Sequence, residues 1–313
     1  MKANWKKILS TILFVVLIAL LVWYLYENRA DLGELLRLSP ATVTWMLILA
    51  LGACTMNCVY HKLILDTFQL PLDLVDWLGV VYVANAMAYV LPMRADLIFT
   101  ATYYKRTKNF ALTKSASVAA GNIIFGVMFA LVQLAAALLC TGLIEGQWPG
   151  ILWLVLLAGT AGIGVFLVIS FRFGDHMPEK LSRIKILRDI VSGFNDLLRN
   201  KGLLLRLLLC LIINNILHLL LYMACFRGIG MEVTIYQALF YNSVSRMLSL
   251  VAIVPANIGI AQGVMGAAGS LMGDVFQHGV MVSLLQSVAL MVVYIVMGGL
   301  FAYPVYRRYS KGR

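Results

Sequence analysis

Two arginines stand inside long apolar stretches of this chain of 313 residues, where a charged side chain needs a partner. Arg94 closely follows Pro92 and precedes Asp96, and Arg246 ends the polar run at 242–246. The planar guanidinium group of arginine suits paired hydrogen bonds with phosphate or carboxylate. These positions predict contacts with an anionic lipid headgroup. The alternatives are an internal Arg94–Asp96 pair, or an arginine side chain that extends to the water interface.

Amide side chains form a second group of candidate ligands. Asn257 and Gln262 follow one another closely in the second half of the chain, where their amides could bind a ligand. Asn214, His218 and Tyr222 recur at every fourth position, which places them on one face of a helix. This polar stripe is predicted either to line a cavity or to form hydrogen bonds between helices.

No residue pattern in the sequence predicts catalysis, a cofactor or a bound metal. The Cys/His clusters, nucleophile elbows and phosphate-binding loops of known enzymes and metal sites do not occur. Asp73 and Asp76 are predicted to be helix N-terminal charges. The sequence therefore predicts a protein that is not an enzyme. A lipid-modifying enzyme with Asp73, Asp76 or His61 at its site is the alternative.

The composition requires most of these residues to lie in membrane-spanning helices. Hydrophobic residues make up 62% of the chain and charged residues 12%, and the mean hydropathy is +0.89. Such values are typical of a polytopic helical membrane protein and leave almost nothing for a soluble catalytic domain. The net charge of +11 is therefore interpreted as a signal of orientation and lipid attraction, and not of nucleic-acid binding.

Two apolar stretches, 72–104 and 233–273, are too long for one crossing, since about 20 apolar residues span a bilayer. Each is interrupted near its middle by a proline with polar neighbours. A break of this kind frees backbone groups that lipid does not tolerate unless they pack in protein or line a cavity. Paired breaks in the two halves of a membrane protein point to a transport site. The residues assigned to the breaks are Pro92, Pro255, Gly259 and Gly263.

Charge placement predicts the topology. Basic residues cluster at 2–7, 105–114, 172–201 and 307–313, which the positive-inside rule assigns to the cytoplasm. The chain is then predicted to cross the inner membrane six times, with both termini in the cytoplasm. The predicted spans are 8–26, 41–63, 115–141, 150–171, 203–226 and 279–303.

In this scheme each broken stretch begins and ends on the same side of the membrane. The stretch 72–104 is predicted to enter from the cytoplasmic face and 233–273 from the opposite face, both as re-entrant helical hairpins. The alternative is that each stretch makes two full crossings. The predicted fold is an all-α polytopic membrane protein with an inverted repeat, in one domain over 1–313. Its parts are a first half (1–171), an amphipathic cytoplasmic linker (172–201) and a second half (202–313).

Short motifs at the two breaks resemble the signature regions of a known family. These motifs are Leu91-Pro92-x-Arg94-Ala95, followed by Tyr104-Lys105-Arg106, and Pro255-x-x-x-Gly259. They are similar to those of the flippase-like integral membrane family, which includes the transmembrane region of lysylphosphatidylglycerol synthetase, the multiple peptide resistance factor. The resemblance implies two inverted halves with re-entrant helices around a lipid-binding cavity. It also implies movement of aminoacylated phospholipid, or a link to polyprenyl-phosphate or glycolipid pathways.

This chain departs from the family pattern at several charged positions. Asp96 and Leu97 stand where glycine and glutamate are usual, and Gln262 stands where glutamate is common. A charged pattern in the following span is replaced by Gly121, Asn122 and Gly126. The cavity is therefore predicted to carry less charge than in other members.

The function predicted from these features is the movement of a lipid between membrane leaflets. The expected ligand is an anionic phospholipid or a polyprenyl-phosphate-linked lipid. The alternative is a non-transporting subunit that supports a partner synthase or glycosyltransferase, and a homo-oligomer is compatible with either. No ATPase motif is present, so movement would be passive, gradient-coupled or powered by a partner.

Overall fold

The computed structural model describes residues 38–91, 94–173, 200–248 and 257–311, and this part of the chain is helical with no strand. The predicted span 8–26, most of the linker 172–201 and both break prolines, Pro92 and Pro255, lie outside it. The described helices are α1 (Pro40–Asp66), α2 (Val75–Val90, whose first turn Val75–Gly79 is a π-helix), α3 (Ala95–Lys108), α4 (Leu112–Glu145), α5 (Gly150–Phe173), α6 (Lys201–Gly228), α7 (Ile235–Leu248), α8 (Ile260–Leu271) and α9 (Phe276–Lys311).

Five of these helices are long and apolar enough to cross a membrane, namely α1, α4, α5, α6 and α9. They coincide with the last five of the six predicted spans. The prediction of an all-α polytopic membrane protein is therefore confirmed. The total of six spans stays a prediction, because the first one falls outside the described residues.

Local sequence signals set the ends of the long helices. Ser39 caps α1, because its Oγ accepts a hydrogen bond from the Thr42 N–H at 3.1 Å, and Pro40 occupies the first turn, where no N–H is needed. Asn200 caps α6 in the same way through the Leu203 N–H at 3.1 Å. These helices begin where polar residues satisfy the backbone groups that the helix itself leaves open.

The two broken stretches each form a pair of short helices, α2 with α3 and α7 with α8, and the members of each pair pack together. The helices α3, α7 and α8 have 14, 14 and 12 residues. A helix of 14 residues is about 21 Å long, whereas the hydrocarbon core is about 30 Å thick. The arms α3 and α8, whose two ends are described, are too short to cross alone, which favours hairpins over two full crossings. Re-entrance itself stays a prediction.

The base of the first helix pair, at the start of α2, and the base of the second pair, at the end of α8, contact opposite ends of the long helix α9. It has 36 residues, which correspond to about 54 Å. Near its start, His278 contacts Asp274, which follows α8, with Nδ1 and Oδ1 2.8 Å apart. Near its end, Arg308 forms ion pairs with Asp73 and Asp76 at the start of α2. The bases of the two pairs are thus separated by the length of α9.

Packing between the halves is reciprocal. Helix α1 packs along α6, α2 packs along α9, and α7 packs along α4. The first arm of each broken stretch therefore lies against the long helix that follows the broken stretch of the other half. Each short arm is thereby covered by a helix long enough to span the bilayer.

The contact between α2 and α9 depends on one glycine. A Cβ atom added at Gly298 would lie 2.8 Å from the Ala86 Cβ and 3.1 Å from the Tyr82 backbone oxygen, whereas one added at Gly299 would meet nothing within 4 Å. A backbone oxygen cannot move aside as a flexible side chain can. Gly298 therefore sets how closely these two helices approach.

We expect Gly298→Ala to destabilise the protein by about 1–3 kcal/mol, because it overpacks this interface. Gly299→Ala is the matched control and should remain close to wild type. The unfolding midpoint of the purified protein in detergent measures both effects. Equal midpoints for the two variants would show that the close approach at Gly298 does not matter.

Candidate functional site

A cavity of about 370 Å³ lies where the two broken stretches meet the long helices. Residues from α1, α2, α4, α6, α7, α8 and α9 line it, together with the residues that begin α3. Its wall is rich in amide groups rather than in formal charge. The amide-bearing residues are Asn57, Asn85, Asn122, Asn214, Asn242, Asn257 and Gln286.

Six of the seven residues predicted to bind substrate line this one cavity. They are Arg94, Asp96, Asn214, His218, Arg246 and Asn257. They come from both halves of the chain, so the fold brings together residues that are far apart in sequence. Their role in binding stays a prediction, but their convergence is a property of the structure.

Both breaks hold a side-chain-bearing residue in the left-handed backbone region. Arg94 has φ +55° and directly precedes α3, and Asn257 has φ +54° and lies shortly before α8. This conformation costs roughly 1–2 kcal/mol for a residue other than glycine. Gly259, with φ +89°, then begins α8 without that cost. Strained backbone of this kind clusters at functional sites, and both strained residues line the cavity.

Arg94 and Asp96 form the internal pair that was one of the alternatives for them. The Arg94 Nε and Asp96 Oδ1 atoms are 3.5 Å apart, and the side chains are 31% and 20% exposed. The pair also belongs to the cavity wall. Internal pairing and exposure to a ligand therefore coexist here, because neither side chain is fully buried.

Arg246 is held by a chain of hydrogen bonds that crosses three helices. Its Nη2 donates to the Oδ1 of Asn214 on α6. The Nδ2 of Asn214 in turn donates to the backbone oxygen of Ala53 on α1 at 2.8 Å. Asn214 uses both ends of its amide in this way, and it fixes the guanidinium group at the cavity wall.

The polar stripe of α6 serves both roles that the sequence left open. Asn214 and His218 line the cavity. Tyr222, one turn further on, is buried, and its hydroxyl donates to the Oε1 of Gln286 on α9 at 2.8 Å. The stripe is a cavity wall in its first part and an interhelical bond at its far end.

Several cavity residues were missed by the sequence reasoning. Asn57 donates to the Tyr294 hydroxyl at 3.3 Å, and Asn85 donates to the Val81 backbone oxygen of its own helix at 2.8 Å. Gln286 accepts from Tyr222 as described above. Each is a lone amide in an apolar helix, which is itself a signal of a buried polar partner or cavity.

Gln262 is the one residue of the seven that the described cavity wall does not include, and its role in binding stays a prediction. Its Oε1 accepts a hydrogen bond from the Gly259 N–H at 2.7 Å, and its Nε2 lies 3.5 Å from the Ser287 Oγ. The side chain is buried and is not part of the described cavity wall. Its amide satisfies the first turn of α8, where a helix leaves backbone N–H groups open.

The glycine assignments also need correction. Gly263 does not lie in the break but inside the first turn of α8, and a Cβ atom there would meet nothing within 4 Å. The close approaches occur instead at Gly266, which faces Phe276, and at Gly269, which faces the Tyr241 hydroxyl.

The alternative catalytic residues do not lie in the cavity wall. Asp76 is 1% exposed and forms ion pairs with Lys108 and Arg308, and its Oδ1 accepts a hydrogen bond from Tyr103 at 2.8 Å. The ring of His61 stacks on that of Tyr104. Among the described residues, no group of three or more His, Cys, Asp or Glu side chains could hold a metal ion.

The support that Asn214 gives to Arg246 can be tested by substitution. We expect Asn214→Leu to destabilise the protein by about 1–3 kcal/mol, because the buried guanidinium group and the Ala53 carbonyl each lose a hydrogen-bond partner. Asn85→Leu is the control, since the Asn85 amide bonds only within its own helix in the described structure. Unfolding midpoints in detergent should fall for the first variant only. An equal fall in both would contradict the support role.

Comparison with known proteins gives one match. A family model described as the lysylphosphatidylglycerol synthase TM region matches residues 11–298. No curated protein and no solved structure is a significant match. The matched range contains both broken stretches and every residue of the cavity wall.

Proposed function

Because the chain belongs to the family of the lysylphosphatidylglycerol synthase TM region, we propose that it moves an anionic or phosphate-bearing lipid between membrane leaflets. The observation that carries this proposal is the convergence of two arginines from the two broken stretches on one amide-rich cavity. Arg94 belongs to the first break, and Arg246 lies in the first arm of the second stretch. The headgroup would bind there while the acyl chains stay in the surrounding lipid.

The electrostatics of the cavity favour an anion. Its described wall holds two arginines and one carboxylate, that of Asp96, which is already paired with Arg94. The helices α3 and α8 begin at this cavity, and the N-terminus of a helix carries roughly half a positive charge. The arginines therefore outnumber the carboxylates in the described wall. A phosphate group suits this arrangement.

The amides of the wall suit the rest of a polar headgroup. An amide both donates and accepts hydrogen bonds, so a ring of them can bind phosphate oxygens, hydroxyls and amines. Asn257 illustrates the point, because its Nδ2 donates to the Leu248 backbone oxygen at 2.8 Å. Its buried Oδ1 has no hydrogen-bond partner within the described residues. A headgroup hydroxyl or amine would satisfy that oxygen.

The predicted inverted repeat supplies a route for movement. The bases of the two broken stretches lie at opposite ends of α9, α3 and α8 are shorter than a bilayer, and packing between the halves is reciprocal. These observations support two re-entrant hairpins that open the cavity to opposite faces in turn. Because the sequence has no ATPase motif, movement of the lipid would be passive, driven by a gradient, or powered by a partner protein.

One observation favours the alternative of a subunit that supports a lipid-modifying enzyme. The α5 span is the least buried of the five, with 11% of its residues buried against 33–39% in the others. Its apolar surface is available to lipid or to a helix of a partner synthase or glycosyltransferase. Transport by the isolated chain separates the two proposals.

The transport proposal is tested with purified protein in vesicles that contain acyl-labelled phosphatidylglycerol or a labelled polyprenyl phosphate. We expect the wild type to speed exchange between leaflets, and Arg94→Ala and Arg246→Ala to slow it about tenfold, since a hydrogen bond to a charged group contributes about 1.5–3 kcal/mol. Arg206→Ala, at an exposed site on α6, is the matched control. Size-exclusion profiles show whether each variant remains folded.

Wild-type exchange no faster than in protein-free vesicles, for both lipids, would contradict the transport proposal. Normal exchange in both cavity variants would contradict the role of the arginines. A partner that restores exchange, or that shows enzymatic activity only with this chain, would favour the subunit alternative.

The predicted orientation of the two broken stretches is tested by single cysteines placed at the two ends of each stretch. Positions Asp66 and Lys105 flank the first stretch, and Glu232 and Val275 flank the second, all at exposed sites. We expect an impermeant thiol reagent to label the first two from the cytoplasmic side and the last two from the opposite side. The protein without added cysteines gives the background. Labelling of Asp66→Cys and Lys105→Cys from different sides would contradict the predicted topology, because a hairpin and a pair of full crossings both begin and end on one side of the membrane.

A further inference from the structure

A second cavity, separate from the central one, lies where the base of the first hairpin meets the end of α9. Its volume is about 550 Å³. Four basic side chains line it, namely Lys108 from α3 and Arg307, Arg308 and Lys311 from α9, with one carboxylate, Asp76. We propose that this cavity binds the phosphate-bearing headgroup of an anionic phospholipid from the adjacent leaflet. The proposal does not depend on transport through the central cavity.

The single carboxylate of the cavity is already neutralised. The Oδ2 of Asp76 lies 2.6 Å from the Lys108 Nζ, and its Oδ1 lies 3.2 Å from the Arg308 Nη1. Asp73 also pairs with Arg308. By contrast, Arg307 and Lys311 have no carboxylate within ion-pair distance among the described residues. The cavity therefore presents a net positive charge to an incoming anion.

The size of the cavity and its position indicate a lipid rather than a small ion alone. Ligand pockets commonly measure about 300–1,000 Å³, and this one is of that order. Tyr303 belongs to its wall and is 73% exposed, and Tyr306, in the same turns of α9, is 68% exposed. Exposed tyrosines are enriched at the membrane–water interface. The basic end of α9 therefore lies at headgroup level, where the acyl chains of a bound lipid remain in the membrane.

The site shares two of its cations with the contact that fastens the first hairpin to α9. Lys108 and Arg308 form ion pairs with Asp76 and also belong to the cavity wall. A phosphate bound between α3 and α9 would therefore add a bridge between the same two elements. A bound lipid headgroup is therefore expected to stabilise the contact between the base of the first hairpin and α9.

The experiment uses the full chain in neutral detergent at 0.15 M salt, where exposed charges more than about 8–10 Å apart are screened. Phosphatidylglycerol, phosphatidylcholine or inorganic phosphate is added while the unfolding midpoint is recorded. We expect a saturable rise with phosphatidylglycerol only. Arg307→Ala/Lys311→Ala should need about 25-fold more of this lipid for half the rise, since each cation near a surface contributes about fivefold to binding.

Lys105→Ala/Lys201→Ala is the matched control, because it removes the same charge from exposed positions outside the cavity. We expect it to respond like the wild type. An equal lipid requirement in the two double variants would overturn the site. Loss of the rise in Arg94→Ala alone would assign the lipid to the central cavity. The same rise with inorganic phosphate would replace the lipid by a soluble anion.

Discussion

A break in an apolar helical stretch leaves backbone N–H and C=O groups that lipid cannot satisfy, and the packing around the two broken stretches reflects that constraint. The short arms of each broken stretch pack against α9 and α4, the longest helices among the described residues. Glycines allow α9 to approach the backbone of two of these arms. Gly298 lies against the Tyr82 backbone of α2, and Gly279 lies against the Met265 backbone oxygen of α8. Such contacts shield the arms from lipid, and the ends of the arms open into a polar cavity.

Polar groups in that cavity must also be held, because an unpaired amide or charge at membrane depth is costly. The fold meets this need with bonds between helices, such as Asn214 to the Ala53 backbone and Tyr222 to Gln286. Arg246 is therefore both a candidate ligand-binding group and part of the bonding that joins α6 to α7. A substitution there would change binding and stability together, whereas Arg94, partly exposed beside Asp96, separates the two more cleanly.

The sequence predicted the elements that follow from composition and charge, and it located the breaks. Arg94 and Arg246 were identified because a charge within an apolar stretch is conspicuous, and the structure places both in the cavity wall. Asn57 and Gln286 were missed, since a lone amide shows its partner only once helices from distant parts of the chain are packed. Gln262 was assigned to the ligand, although its spacing of three residues from Gly259 is that of a helix-capping side chain.

Helix α3 connects the two candidate anion sites, and its sequence is polarised accordingly. It begins at the central cavity with Arg94 and Asp96, and it ends at the second cavity with Lys108. The basic residues of its last turn compensate the negative end of the helix dipole. Because 14 hydrogen-bonded residues move as one short rod, a shift of its base relative to α9 must also move Arg94. Under the proposed lipid binding, an anionic lipid that holds the base in place would also hold the cavity arginine in place, and it would couple the composition of one leaflet to the geometry of the central site.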